Sequence, residues 1–241
     1  MLPRLAIFTL TLFTLGALLL ALTHRIRRSN REARRADLVK FTVYLLLVAA
    51  LLGAGIAGRI CAIGLFSAIL LAASPEVRVA CRIPSRAVLV MIALVICLAH
   101  LLAPHGATWR NGYALAILLV AATDSFSQIV GRLIGRHALC PRISPKKTVE
   151  GLVGGLVVAT ALAPALAFLM PHAGLVRLAL LGLVTALAAD AGDLLFSAWK
   201  RRLGIKDFSG LLPGHGGVLD RFDSLIVAAP VFYWMRVVLR V

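Results

Sequence analysis

The stretch GLVRLALLGLVTALAADAGDLLFSA, residues 174–198, decides the fold class of this 241-residue chain. A helix needs about 20 predominantly apolar residues to cross the hydrocarbon core of a bilayer, and this stretch exceeds that length. Seven more apolar stretches occupy residues 4–23, 41–58, 60–74, 87–104, 113–131, 151–170 and 222–240. None of them alternates apolar and polar residues as a membrane β-strand does. We therefore predict an all-α polytopic membrane protein with about eight transmembrane helices in a single domain.

Composition agrees with this class. Hydrophobic residues make up 61% of the chain, and the mean hydropathy is +0.95, whereas soluble domains are closer to half apolar. The four cysteines show no CxxC spacing, so we predict neither a disulfide nor a zinc site.

We expect residues 1–110 to form N-terminal transmembrane helices with a basic cytoplasmic loop. Residues 111–241 should form catalytic transmembrane helices and their cytoplasmic loops.

The net charge is +16, and the basic residues behind it are concentrated in segments between the apolar stretches. Of the 26 Lys and Arg residues, 20 fall in residues 25–40, 75–86, 132–150 and 199–221. Positive charge concentrates in cytoplasmic loops, so we place these four segments in the cytoplasm and both termini outside. This distribution favours an anionic lipid surface or a phosphorylated substrate as partner and argues against nucleic acid.

Acidic residues are few, and several lie in or beside apolar stretches. The chain has ten Asp and Glu residues. A carboxylate inside a membrane helix is costly, so we interpret it first as functional. Asp190, Asp193 and Ser197 are spaced i, i+3, i+7 and share one helical face, which Lys200 continues. Paired carboxylates suit Mg²⁺ that shares its coordination shell with substrate phosphates. A buried pair neutralised by Lys or Arg from another helix is the alternative.

A glycine-rich stretch, LLPGHGGVLDRFDS at residues 211–224, offers a second set of polar groups. Gly214, Gly216 and Gly217 permit the backbone conformations with which loops aim N–H groups at an anion. His215 is a candidate donor to a phosphate oxygen. Asp220 and Asp223 share a face at the start of the last helix and are further metal-ligand candidates. A simple turn between two membrane helices would explain the glycines but not these charged residues.

Two further clusters complete the pattern. In CPRISPKKTVEGLVGG, residues 140–155, adjacent Lys146 and Lys147 follow a proline-led turn, and Thr148 is placed to cap the next helix. The glycine pair at 154–155 allows close helix packing. Asp124, within an apolar segment, is a fourth site, and the sequence assigns it no partner. Together these groups suit nucleotidyl or phosphoryl transfer, in which charge neutralisation does most of the work. A transporter of anionic solutes is the non-enzymatic alternative, although no internal repeat is visible.

The chain resembles the phosphatidate cytidylyltransferases, also called CDP-diacylglycerol synthases. The resemblance rests on Ser197-Ala-Trp-Lys200-Arg201, Lys206-Asp207-Phe-Ser209 and Pro213-Gly-His215-Gly-Gly-Val-Leu-Asp220-Arg221-Phe-Asp223. SPKKTVEGLVGG and GDLLFS look like two more segments of that family, and the likeness covers roughly residues 110–241. The chain departs from the family at Val149, Phe196, Trp199 and the pair Ser127-Gln128.

The resemblance implies transfer of the cytidylyl group of CTP to phosphatidate in a bacterial inner membrane, giving CDP-diacylglycerol and pyrophosphate at a cytoplasmic site. It implies Mg²⁺, as one ion or two, and leaves room for a homodimer. Metal ligands would be Asp190, Asp193, Asp220 and Asp223. Catalytic groups would be Lys146, Lys147, Lys200, Arg201, His215 and Arg221. Substrate-binding groups would be Asp124, Ser144, Thr148, Ser197, Lys206, Asp207, Gly214, Gly216 and Gly217. A CTP-dependent relative that acts on another lipid phosphate or on a polyprenol remains the alternative.

Overall fold

The computed structural model describes residues 2–26, 30–81, 84–103, 109–211 and 216–241. The helices in this part of the chain are α1 (Leu2–Ile26), α2 (Arg31–Ala57), α3 (Arg59–Cys81), α4 (Pro84–Leu102), α5 (Trp109–Ile134), α6 (Val149–Ala165), α7 (Leu175–Arg202) and α8 (Leu219–Leu239). Two short strands, β1 (Ala138–Cys140) and β2 (Ser144–Thr148), lie between α5 and α6. The prediction of a helical, single-domain protein is confirmed.

The helices have the length and surface of membrane-spanning segments. Within the described residues, seven helices are long and apolar enough to cross a bilayer, and α6, with 17 residues, is a shorter apolar helix. Large apolar side chains such as Leu18, Ile60 and Leu71 are exposed on α1 and α3. Such surfaces are stable against lipid rather than water. The chain is therefore an integral membrane protein.

α5 lies at the centre of the bundle. Every residue from Gly112 to Thr123 is buried, and α5 packs against α1, α2, α4, α6, α7 and α8. The pairs α6–α7 and α7–α8 also pack closely, while α3 packs against α2 and α4, and α4 packs against α8. This packing carries residues of α5, α7 and α8 to one shared region.

Glycines set the closest helix approaches. A Cβ at Gly155 of α6 would collide with the Ser127 hydroxyl of α5, and one at Gly154 would lie 2.7 Å from Val130. The predicted role of this glycine pair in helix packing is therefore confirmed. On α7, a Cβ at Gly192 would lie 2.7 Å from the carbonyl oxygen of Asp223 on α8.

Two segments differ from the sequence prediction. Residues 75–86 were expected to form a loop, but α3 continues through Pro75 to Cys81. The proline-led turn expected to hold Lys146 and Lys147 is part of an antiparallel hairpin, in which Ala138 faces Thr148. Both lysines lie in strand β2. Short polar strands of this kind carry no apolar alternation, so periodicity did not reveal them.

Candidate active site

Four aspartates from three helices form what we call the acidic cluster: Asp124 of α5, Asp190 and Asp193 of α7, and Asp223 of α8. Asp190 and Asp223 are buried, with 5% and 7% of their surface exposed. The charges of Asp193 and Asp190 act on Asp124, and those of Asp193 and Asp124 act on Asp223. Carboxylates gathered in this way repel one another when ionised, and a neighbouring cation offsets that repulsion.

Lys147 supplies one of those cations. Its Nζ lies 2.8 Å from Oδ2 of Asp193 and 3.4 Å from Oδ1 of Asp190. Burial acts to lower the pKa of Lys147, but the charges of Asp193, Asp190 and Asp124 outweigh it and leave the pKa above its ordinary value. Lys146, one residue away on the same strand, is exposed. Successive side chains of a strand point to opposite faces, which separates the two lysines.

Hydrogen bonds link α5 to α8 at the cluster and orient aspartates on α7 and α8. The Ser224 hydroxyl donates to Oδ1 of Asp124 at 3.0 Å, which links α8 to α5. The Ser224 N–H donates to Oδ1 of Asp223 at 2.8 Å. On α7, the Ser197 hydroxyl donates to Oδ1 of Asp193 at 3.2 Å, as expected for residues four apart on a helix. Ser224 is thus the partner of Asp124 that the sequence alone did not assign.

Asp220 is held by a different set of donors. Lys200 donates to its Oδ1 at 2.6 Å, and the N–H groups of Phe208 and Gly217 donate to its Oδ2 at 2.9 and 2.8 Å. Lys200 also lies 5.5 Å from the centre of the Phe208 ring. Asp220 and Lys200 therefore fix the segment before α8 to the end of α7, and a metal role for Asp220 stays a prediction.

The other predicted site residues differ in how the structure holds them. The Thr148 hydroxyl accepts from the Gly151 N–H at 3.1 Å and caps α6, as predicted. Arg201 donates to the carbonyl oxygens of Ile143 and Ile205, both at 3.1 Å, which ties the hairpin to the end of α7. Ser144 is half-buried at the start of β2, and Lys206 and Asp207 are exposed. Gly214 and His215 lie outside the described residues.

Arg221 lies in the first turn of α8, and Gly216 and Gly217 lie just before that helix. The Arg221 side chain is partly buried, and its Nε has no hydrogen-bond partner among the described residues. Gly216 adopts φ of +77°, a left-handed conformation that favours glycine. The Gly217 N–H already donates to Asp220. The unpartnered Arg221 donor is the one of these groups that an anionic ligand would satisfy.

The donors of the acidic cluster fit a magnesium ion in chemistry. One oxygen of Asp190, Oδ2, is buried and has no hydrogen-bond partner in the described part of the chain. No group of three or more Asp, Glu, His or Cys side chains among the described residues is arranged to hold a metal ion. Mg²⁺ commonly binds one or two carboxylates together with substrate phosphates, so two aspartates suffice.

Sequence reasoning missed Glu76. This carboxylate of α3 is 4% exposed and accepts hydrogen bonds from Ser209 and from the start of α8. No other acid occurs between Asp37 and Asp124. That isolation at the end of an apolar segment was the signal that could have found it.

The chain is similar to a known protein family over most of its length and to several curated proteins over about half of it. The Cytidylyltransferase family matches residues 1–239. The chain is 40% identical over 124 residues to a phosphatidate cytidylyltransferase of Bacillus subtilis, covering 50% of this chain and 45% of the relative. It is 38% identical over 129 residues to one of Rickettsia bellii, covering 51% and 56%.

A third relative, the uncharacterized protein YnbB of Escherichia coli, is 39% identical over 128 residues, covering 52% of this chain and 43% of the relative. The chain thus spans about half the length of the curated relatives it matches. The family match itself runs over nearly the whole chain. This chain belongs to the cytidylyltransferase family.

Proposed function

We propose that this protein transfers the cytidylyl group of CTP to phosphatidate, giving CDP-diacylglycerol and pyrophosphate. The single observation that carries the proposal is the acidic cluster, in which three helices and Lys147 gather four carboxylates beside a cation. Relatives that bear the name phosphatidate cytidylyltransferase match about half of the chain and also support the proposal. We place the protein in a bacterial inner membrane with the site on the cytoplasmic side, where the basic loops gather.

The reaction needs positioning and charge neutralisation more than proton transfer. An oxygen of the lipid phosphate attacks the α-phosphorus of CTP, a new P–O bond forms, and the bond to pyrophosphate breaks. The attacking phosphate is already anionic, so no strong base is required. Phosphoryl-type transfers depend on cations that offset charge on the transferring group and the leaving group. Lys147 and Arg221 are the cations of this chain that we assign to that role.

We assign Asp193 and Asp223 to Mg²⁺, with Asp124 and Asp190 holding the surrounding charge balance. When bound, the ion would supply positive charge that offsets the negative charge of the nucleotide phosphates. Asp193 is the more open ligand, with 32% of its side chain exposed. Lys147 lies against it and is placed to move from Asp193 to a phosphate when nucleotide enters. His215 and Gly214 remain predicted contacts for the leaving pyrophosphate.

The test uses purified protein in detergent with Mg²⁺, phosphatidate and CTP labelled in the cytidine. Label should enter the lipid phase as equimolar pyrophosphate is released, and both should cease with EDTA. Release of CDP without label in the lipid would indicate a kinase on another lipid and would contradict the proposal. Absence of turnover with several lipid phosphates would contradict it as well, and a binding assay would then test anion transport.

A further inference from the structure

Glu76 is a buried carboxylate outside the acidic cluster. It lies in the C-terminal part of α3, in the N-terminal half of the chain, and only 4% of its surface is exposed. No salt bridge to Glu76 occurs among the described residues. An ionised carboxylate in such a place requires hydrogen-bond donors, because removing its water without replacement is strongly unfavourable. Its partners therefore indicate why it is there.

Those partners are the start of α8 and the loop before it. Oε1 of Glu76 accepts from the Ser209 hydroxyl at 2.6 Å and from the Val218 N–H at 2.8 Å. Oε2 accepts from the Leu219 N–H at 2.9 Å. Val218 is the N-cap position of α8 and provides no side-chain cap of its own. Glu76 thus caps α8 from a different helix, at the end where the helix dipole favours negative charge.

The Glu76 carboxylate lies directly against the backbone of Gly217, the residue before Val218. A Cβ at Gly217 would lie 2.7 Å from Oε1 of Glu76, so the carboxylate would have to shift to make room for any other residue at position 217. The same residue's N–H donates to Asp220. Two carboxylates, Glu76 and Asp220, therefore hold three successive N–H groups, those of Gly217, Val218 and Leu219.

The start of α8 in turn sets the position of the acidic cluster. Asp223 lies one helical turn after Leu219, and its neighbour Ser224 donates to Asp124. We propose that Glu76 is a positioning residue: it fixes the first turn of α8 and, through it, holds Asp223 where the cluster needs it. Glu76 contacts neither substrate in this account. The kinetic consequences rest on the proposed function, but the structural link does not.

Hydrogen exchange tests the structural link directly. In lipid nanodiscs without metal or nucleotide, Glu76→Gln should speed amide exchange within residues 216–224 by about tenfold or more, since a hydrogen bond to a charged group contributes about 1.5–3 kcal/mol. Glu32→Gln is the matched control, because Glu32 is an exposed acid at the start of α2. It should leave that exchange unchanged. Ser209→Ala removes one donor to Glu76 and should give a smaller increase in the same peptide.

Kinetics then separate positioning from general damage. Residues that orient metal ligands typically affect metal affinity or activity by about 10–100-fold. Glu76→Gln should therefore raise the Mg²⁺ concentration for half-maximal activity and lower kcat within that range, while KM for phosphatidate stays within about threefold. Glu76→Asp, which keeps the charge, should recover part of the loss.

Three results would overturn the inference. One is unchanged exchange at 216–224 in Glu76→Gln. Another is faster exchange spread evenly over all helices. The third is a rise in KM for phosphatidate with an unchanged Mg²⁺ requirement. If Glu76→Gln does not fold, unchanged exchange in Ser209→Ala overturns it instead. If wild-type protein transfers no cytidylyl group, the proposed function fails, and the exchange difference alone decides the inference.

Discussion

At the scale of single residues, the structure divides groups that look equivalent in the sequence. Lys146 and Lys147 are adjacent, yet only Lys147 contacts the aspartates, and Lys146 is exposed. Asp220 and Asp223 are three apart, yet Asp220 is held by Lys200 while Asp223 joins the acidic cluster. The sequence predicted that these groups gather, but it did not predict which of each pair faces the site.

The two lysines provide a matched pair of variants. Lys147→Gln should lower kcat/KM by about 100-fold or more, because a cation beside the transferring phosphate is lost. Lys146→Gln should change it less than about tenfold. Steady-state kinetics with CTP and phosphatidate measure both. Equal losses in the two variants would contradict the placement of the strand.

Because the pKa of Lys147 is raised, it stays protonated above the pH at which an ordinary lysine deprotonates. Activity should therefore show no decline from Lys147 in the neutral range.

The buried pair between Lys200 and Asp220 is a prediction about stability. Their side chains are 10% and 1% exposed. Lys200→Met should reduce the free energy of unfolding by about 3–5 kcal/mol, because it leaves a buried carboxylate without its cation. Unfolding in mixed micelles measures this loss. Adding Asp220→Asn should recover part of it. If Lys200→Met alone were as stable as the wild type, the pair would not hold the loop to α7.

At the scale of elements, the close approach of α7 and α8 brings the cluster together. Gly192 lies against the backbone of Asp223 and against Val227, and it directly precedes Asp193. Apolar periodicity predicted both helices, but it contains no information on how closely they pack. The hairpin between α5 and α6 was missed for a related reason, since its strands are short and polar.

Gly192→Ala should separate these two helices. The new Cβ would lie 2.7 Å from the Asp223 carbonyl oxygen and 3.0 Å from Val227, so backbone must shift. We expect a loss of about 1–3 kcal/mol in stability together with a larger relative loss of activity. Gly64→Ala on α3 is the control, because nothing lies within 4 Å of its Cβ position. The thermal unfolding temperature and the turnover of Gly64→Ala should be close to those of the wild type. If Gly192→Ala also had wild-type stability and turnover, the close approach of α7 and α8 at Gly192 would not be required.

At the scale of the whole molecule, the sequence predicted the class and the helical segments, because apolar length and charge asymmetry are whole-chain signals. It did not predict that Glu76, far away in the chain, caps α8. Such contacts depend on packing between distant helices, which a single sequence does not display. The resemblance covered residues 110–241, so nothing in it pointed to α3.

Topology is open to a direct test. With the four native cysteines replaced by serine, we expect Lys146→Cys and Lys206→Cys to react with a membrane-impermeant thiol reagent from the cytoplasmic side only. Arg177→Cys, at the start of α7, should react from the opposite side, which requires α6 to cross the membrane despite its 17 residues. Labelling of all three positions from one side would show that α6 does not cross.

The measurement that tests the central claim most directly compares cytidylyl transfer by Asp193→Asn with transfer by Glu32→Gln and the wild type. All three proteins should insert, fold and bind detergent alike, because Asp193 is partly exposed and Glu32 is exposed. If the acidic cluster holds the metal for transfer from CTP, Asp193→Asn should lose at least about 100-fold in label transferred to phosphatidate, and Glu32→Gln should match the wild type. Normal transfer by Asp193→Asn would contradict the account.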